Sequence, residues 1–201
     1  MISEFKMDSP SSTRATLLIM GGGMLIGLAI GALVLIGLPA AQGAAATPAG
    51  TNANNNSNFP APIVGSPAPD FTLKNIEGRD IRLSSLNGQP ILINFWATWC
   101  GPCEIEMPAI DAAYRKYRDQ GFVVLAVDDD EPLADVVVFF KKHNLAFEAL
   151  LDPGTKVTDL YRVRAFPTSF FVGRNGRILS MQIGTMTEKQ LEGHLERILP
   201  K

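Results

Sequence analysis

The apolar run Pro90-Ile-Leu-Ile-Asn-Phe-Trp96 leads through Ala97 and Thr98 into Trp99-Cys100-Gly101-Pro102-Cys103. A run of strand length without polar alternation must be covered on both faces, and a sheet flanked by helices on both sides provides that cover. A helix is expected from Gly101 to Asp119, followed by a second apolar strand over residues 122–127. Two cysteines therefore sit where a buried strand ends and a helix begins, inside an α/β domain.

The elements around this junction follow from punctuation and period. Residues 71–73 and 79–83 flank the turn signal Glu77-Gly78 and read as a short hairpin. Residues 133–143 have strand-like composition in Val136-Val137-Val138-Phe139-Phe140. Leu133, Val136, Val137 and Phe140 nevertheless fit the helical template, and Pro132 suits a helix start, so a helix is expected. Residues 147–151 read as a strand and 155–161 as a short helix. Residues 168–172 and 178–183 read as two strands joined across Arg174-Asn175-Gly176, a strong hairpin signal. A closing helix over 187–199 has Thr187 as N-cap and Gln190 three residues on, the pattern of a capping box. The order is hairpin, then alternating strand and helix, then hairpin and helix, which implies a mixed central sheet with helices on both faces.

This domain, residues 63–201, does not fill the chain of 201 residues. Residues 17–38, LLIMGGGMLIGLAIGALVLIGL, contain no charge and no proline between Leu17 and Leu38. A hydrocarbon core needs about 20 helical residues, so this segment is expected to be a transmembrane anchor. The competing reading is a cleaved signal peptide, but its apolar core runs to only about 7–15 residues. Lys6 and Arg14 precede the segment and the next basic residue is Lys74, which places the tail 1–16 in the cytoplasm and the domain outside. Residues 39–62, with Ala-Ala-Ala, Asn-Asn-Asn and scattered Gly and Pro, read as a flexible linker. Lys plus Arg number 18 against 20 Asp plus Glu, so no basic excess exists to bind nucleic acid.

Cys100 and Cys103 are the only cysteines, too few and too close to staple a fold. At the N-terminus of a helix, free N–H groups and the positive end of the dipole stabilise an anion. The Cys100 thiol is therefore expected to titrate below the free value of about 8.5 and to act as the nucleophile. Cys103, one turn on and more enclosed, suits a second thiol that resolves a mixed disulfide. A purely structural bridge would close too short a loop to stabilise much. Zinc would need four ligands, and His143 and His194 lie in helices with no partner pattern.

With these residues in view, the chain over about residues 60–199 resembles the thioredoxin superfamily, and within it the TlpA/ResA-like membrane-anchored thiol–disulfide oxidoreductases. The resemblance is carried by Ile93 to Cys103, by Glu106 and Pro108 in the following helix, and by Phe166-Pro167-Thr168 before a strand. It implies that Pro167 is cis beside the cysteines and leaves the Phe166 backbone free to pair with an extended substrate. Trp99, Gly101, Pro102, Phe166 and Pro167 are then the expected substrate contacts. Asn94 stands where thioredoxins proper keep a buried aspartate, and Asn cannot titrate. Glu106, on the helical face of Cys103, is the candidate proton manager, matching a glutamate of this group. Its competing reading is a solvated helix charge.

These readings converge on a dithiol enzyme of the bacterial cell membrane, using Cys100, Cys103 and Glu106 and needing neither an organic cofactor nor a metal. The expected partners are protein disulfide substrates and a membrane thiol relay that restores the dithiol, with cytochrome c or other metalloprotein maturation as the setting that the resemblance implies. Gly-Pro between the cysteines resembles reducing members, near about −270 mV, more than oxidising ones near about −120 mV. The alternatives are a peroxiredoxin-like peroxidase, which carries Thr three residues before its reactive Cys where this chain has Ala97, or a redox-silent binding or chaperone module. Asp128-Asp129-Asp130-Glu131 is expected to be acid at a helix start rather than a cation site. Trp96 and Met107 are expected in the core and Trp99 at the surface.

Overall fold

The computed structural model describes residues 62–199. The anchor read over residues 17–38, the tail before it and the linker up to residue 61 lie outside the described residues. Among the described residues no helix is long and apolar enough to cross a membrane.

The elements run β1 (Thr72–Asn75), β2 (Asp80–Arg82), β3 (Ile91–Trp96), α1 (Gly101–Tyr117), β4 (Val123–Asp128), α2 (Leu133–Lys142), β5 (Glu148–Leu151), α3 (Lys156–Leu160), β6 (Thr168–Val172), β7 (Ile178–Ile183) and α4 (Glu188–Ile198). The strands form one sheet in the order β2-β1-β5-β4-β3-β6-β7. β3, β4 and β5 are parallel, while β1, β6 and β7 join antiparallel, so the sheet is mixed and β3 lies inside it. This is a thioredoxin-like α/β sheet.

All six residues of β3 are buried, as its unbroken apolar character requires. Their alternation sorts them between two cores. Leu92 and Trp96 face α1, α2 and α4 with Met107, Ile110, Val136, Phe139, Leu191 and Leu195. Ile91, Ile93 and Phe95 face the opposite side with Leu125, Val157, Tyr161 and Phe170. The period of two puts Asn94 on the side of Leu92 and Trp96, the side covered by α1. Two successive parallel crossovers, β3-α1-β4 and β4-α2-β5, advance in one direction across the sheet and therefore lay α1 and α2 on the same face.

Several local details depart from the sequence expectation. α2 is a helix, but Leu133 is exposed and the inward stripe is Val136, Phe139 and Phe140, so the i, i+3, i+4 template starts at Val136 and not at Leu133. The helix after the cysteines stops at Tyr117, and Arg118–Gln120 tightens into a 3-10 turn closed by Gly121 at φ 86°. A second 3-10 turn, Leu83–Leu86, follows β2. α3 spans five residues, and Thr155 does not cap it. The buried Asp152 carboxylate does so instead, accepting from the N–H groups of Val157 and Thr158. The α4 capping box between Thr187 and Gln190 is present as expected.

Candidate active site

β3 and β4 run parallel with Trp96 opposite Asp128, so both chains leave the sheet at the same edge. Past Trp96 the chain turns, and Cys100 N–H donates to the Ala97 carbonyl at 3.2 Å. Cys100 is the N-cap of α1 in extended backbone, and its Sγ accepts from Cys103 N–H at 3.2 Å. Pro102 occupies the first turn, where its missing N–H leaves nothing unpaired. Cys100 and Cys103 form a disulfide. Cys103 is wholly buried and Cys100 is 5% exposed, so of the two sulfur-bearing residues Cys100 is the one nearer solvent. Once the bond is reduced, a thiolate at Cys100 occupies the position where the first-turn amides and the helix dipole stabilise negative charge.

The surroundings of this pair are apolar and open on one side. Trp99 is 67% exposed and meets Phe166 edge to face at 5.9 Å between ring centroids. The Phe166–Pro167 peptide is cis, and Pro167 accepts at its carbonyl from Gly184 N–H at 2.8 Å. Phe166 is half-buried against the cluster that contains both cysteines, and among the described residues its backbone makes no hydrogen bond. Gly101 and Pro102 lie at the surface, with the Pro102 carbonyl 3.4 Å from Thr185 Oγ1. Trp96 and Met107 are fully buried core residues.

Glu106 lies one turn beyond Cys103 and is only 2% exposed, which excludes the solvated-charge reading. Its Oε1 accepts from Asn94 Nδ2 at 2.9 Å and its Oε2 from Met186 N–H at 3.0 Å. Asn94 Nδ2 also donates to Ser169 Oγ at 2.9 Å. Burial drives the Glu106 carboxyl above the usual carboxylate range, and the hydrogen bonds from Met186 and Asn94 oppose the rise. A carboxyl with raised proton affinity is better matched to taking up a thiol proton than an ordinary one.

The histidines serve elsewhere. His143 packs on Phe139 with Nε2 at 3.1 Å from Glu104 Oε1, and His194 stacks on Phe171. Among the described residues no group of three His, Cys, Asp or Glu side chains could hold a metal.

The acidic run from the end of β4 stops directly before the Pro132 N-cap of α2, whose own first-turn acid is Asp135, and the carboxylates of Asp128, Asp130 and Glu131 are taken up by backbone N–H groups. Asp130 turns back at φ 58° to accept from Gly154 N–H at 2.8 Å. Asp128 is fully buried, and its Oδ2 accepts from Glu131 N–H at 2.9 Å. Burial pushes its carboxyl up to about 8; the Glu131 N–H works against that rise, while the Glu131 carboxyl and the charge on Asp129 reinforce it. Glu131 in turn accepts from Thr98 N–H at 2.6 Å and from Thr98 Oγ1. The strand register alone brings Glu131 to Thr98, 33 residues away in sequence.

A family model described as AhpC/TSA family matches residues 64–181. The thiol–disulfide oxidoreductase ResA of Bacillus cereus (strain ZK / E33L) is 41% identical over 137 residues, 68% of this chain and 79% of that protein. ResA of Geobacillus thermodenitrificans (strain NG80-2) is 41% identical over 140 residues, 70% of this chain and 80% of that protein. Among solved structures, a Chlorobium tepidum protein assigned as a thiol:disulfide interchange protein DsbE superposes with a TM-score of 0.65 at 34% identity, covering 69% of this chain and 99% of its own. StoA from Bacillus subtilis gives 0.56 at 31%, covering 65% and 98%.

Proposed function

Because this chain belongs to the AhpC/TSA family, and within it is a thiol–disulfide oxidoreductase of the ResA/DsbE type, we propose that it reduces protein disulfides outside the cytoplasm while tethered to the bacterial membrane through residues 17–38. The observation that carries this reading is the Cys100–Cys103 pair at the N-terminus of α1, opening beside Trp99 and Phe166. In the reduced enzyme, the Cys100 thiolate attacks one sulfur of a substrate disulfide. A Cys100–substrate disulfide forms, and the other substrate sulfur leaves as a thiolate that takes a proton. Cys103 then loses its proton toward Glu106, directly or through one water, and attacks Cys100 Sγ, releasing the second substrate thiol. The substrate gains two electrons and two protons, and the enzyme is left with the Cys100–Cys103 disulfide.

The aromatic pair of exposed Trp99 and half-buried Phe166, with Pro167 and the free backbone of Phe166, supports docking of an extended polypeptide here. Regeneration requires a two-electron dithiol donor, which for a tethered domain is a thiol relay in the same membrane. Cytochrome c or other metalloprotein maturation is the proposed setting. Insulin reduction and peroxide consumption, measured side by side with a dithiol supplied, separate the readings. Insulin chains are expected to precipitate and peroxide to persist. Peroxide turnover without insulin reduction would instead establish a peroxidase, and neither activity a redox-silent module.

A further inference from the structure

The turn between β3 and Cys100 has little of its own to hold it. Trp99 projects into solvent, and the turn's own backbone bond is the one from Cys100 N–H to the Ala97 carbonyl. Its anchor comes from the next strand. Both carboxylate oxygens of Glu131 are spent on a single residue of the turn, one on Thr98 N–H and the other on Thr98 Oγ1. Glu131 is itself fixed, since its N–H is taken by Asp128 Oδ2, and Asp128 is fully buried at the end of β4 with Oδ1 unpartnered. A charge-assisted bond to a backbone N–H is among the stronger hydrogen bonds, and a two-point attachment fixes direction as well as distance.

We propose that Glu131 is a positioning residue of the dithiol site: held by Asp128, it clamps Thr98 and thereby keeps Cys100 Sγ at the N-cap of α1. The inference rests on the thiol–disulfide exchange reading but concerns how the nucleophile is placed, not which protein it attacks. Cys100 accepts from Cys103 N–H only while the turn delivers it there, two residues after Thr98. Loosening the clamp lets the sulfur leave the amides that stabilise its thiolate, which raises its pKa and slows attack.

The test uses the full chain in detergent, reduced, with the pH dependence of Cys100 alkylation by iodoacetamide located by mass spectrometry. Initial rates of insulin reduction are measured alongside. Glu131→Ala is expected to raise the apparent Cys100 pKa and to slow exchange at neutral pH at least about 10-fold, the scale on which small misplacements of reacting groups act. Glu131→Gln keeps an acceptor oxygen and removes the charge, so it is expected to recover most of the rate. Thr98→Val keeps the carboxylate and removes one donor, and is expected to shift the titration in the same direction by less. If Glu131→Ala and Glu131→Gln lower the Cys100 pKa equally, the effect is charge and positioning is overturned. A Glu131→Ala protein that is folded by circular dichroism and titrates like the parent also overturns it. The alkylation profile is read from the dithiol alone, so it stands whether or not insulin is a substrate. Failure of insulin reduction in the unaltered chain would count against the proposed function and not against the clamp.

Discussion

Asn94 Nδ2 donates to Glu106 Oε1 at 2.9 Å, so an amide on the central strand holds a buried carboxyl one helical turn from Cys103. An amide cannot take up the proton that Cys103 must lose, and the same contact orients the group that can. In the proposed mechanism the titrating role lies on the helix and not on the strand, and the two side chains are in contact. Burial holds the Glu106 carboxyl above its ordinary range, which brings its proton affinity closer to that of a thiol.

Glu106→Gln is therefore expected to slow reduction of a disulfide substrate by roughly 10–100-fold, at or below the usual range for acid–base assistance because water substitutes in part. The apparent Cys100 pKa should fall, since removing a nearby carboxylate favours the thiolate. Asn94→Asp in the same background should restore part of the rate. Single-turnover kinetics and thiol titration read both effects, and unchanged values in Glu106→Gln would assign proton transfer to water.

Asp128 is expected to contribute a stability that falls as pH rises. The folded state keeps its proton up to about 8 whereas the unfolded chain loses it near 3.8, so stability declines across that interval and levels off above it. Asp128→Asn mimics the protonated acid and is expected to flatten the decline. Urea midpoints at about pH 5 and about pH 9 measure this. A slope as steep in the variant as in the parent would mean that another group is responsible.

Residues 17–38 set the proposed location, with Lys6 and Arg14 before them and no further basic residue until Lys74. A periplasm-active reporter fused after Lys201 should be active and a cytoplasm-active one silent. The reverse pattern would remove the premise of extracytoplasmic work, and a shortened protein released from the membrane would indicate signal cleavage.

Much of this architecture is legible in the sequence because one-dimensional signals report it directly. Asn175-Gly176 marks the β6–β7 turn, Thr187 and Gln190 mark the start of α4, and the unbroken run into Trp96 marks a strand covered on both faces. Cys100 and Cys103 declare their chemistry by type and spacing. What stays hidden depends on which strands become neighbours. Glu131 reaches Thr98 only because β4 lies parallel to β3 with Asp128 beside Trp96, and local charge pattern at a helix start gives no hint of that. At α3 the reason is local: Thr155 is held at φ 54° and makes no cap bond, and the Asp152 carboxylate accepts from the first-turn N–H groups instead. Leu133 fits the helical template but sits exposed in the first turn of α2.

The central claim is that Cys100 attacks and Cys103 resolves, and trapping in the native membrane tests it most directly. The full chain carrying Cys103→Ser should accumulate a mixed disulfide through Cys100 that dithiothreitol releases, and the captured protein identifies the substrate. Cys100→Ser should accumulate none. Equal trapping by both variants, or by neither, would contradict the account.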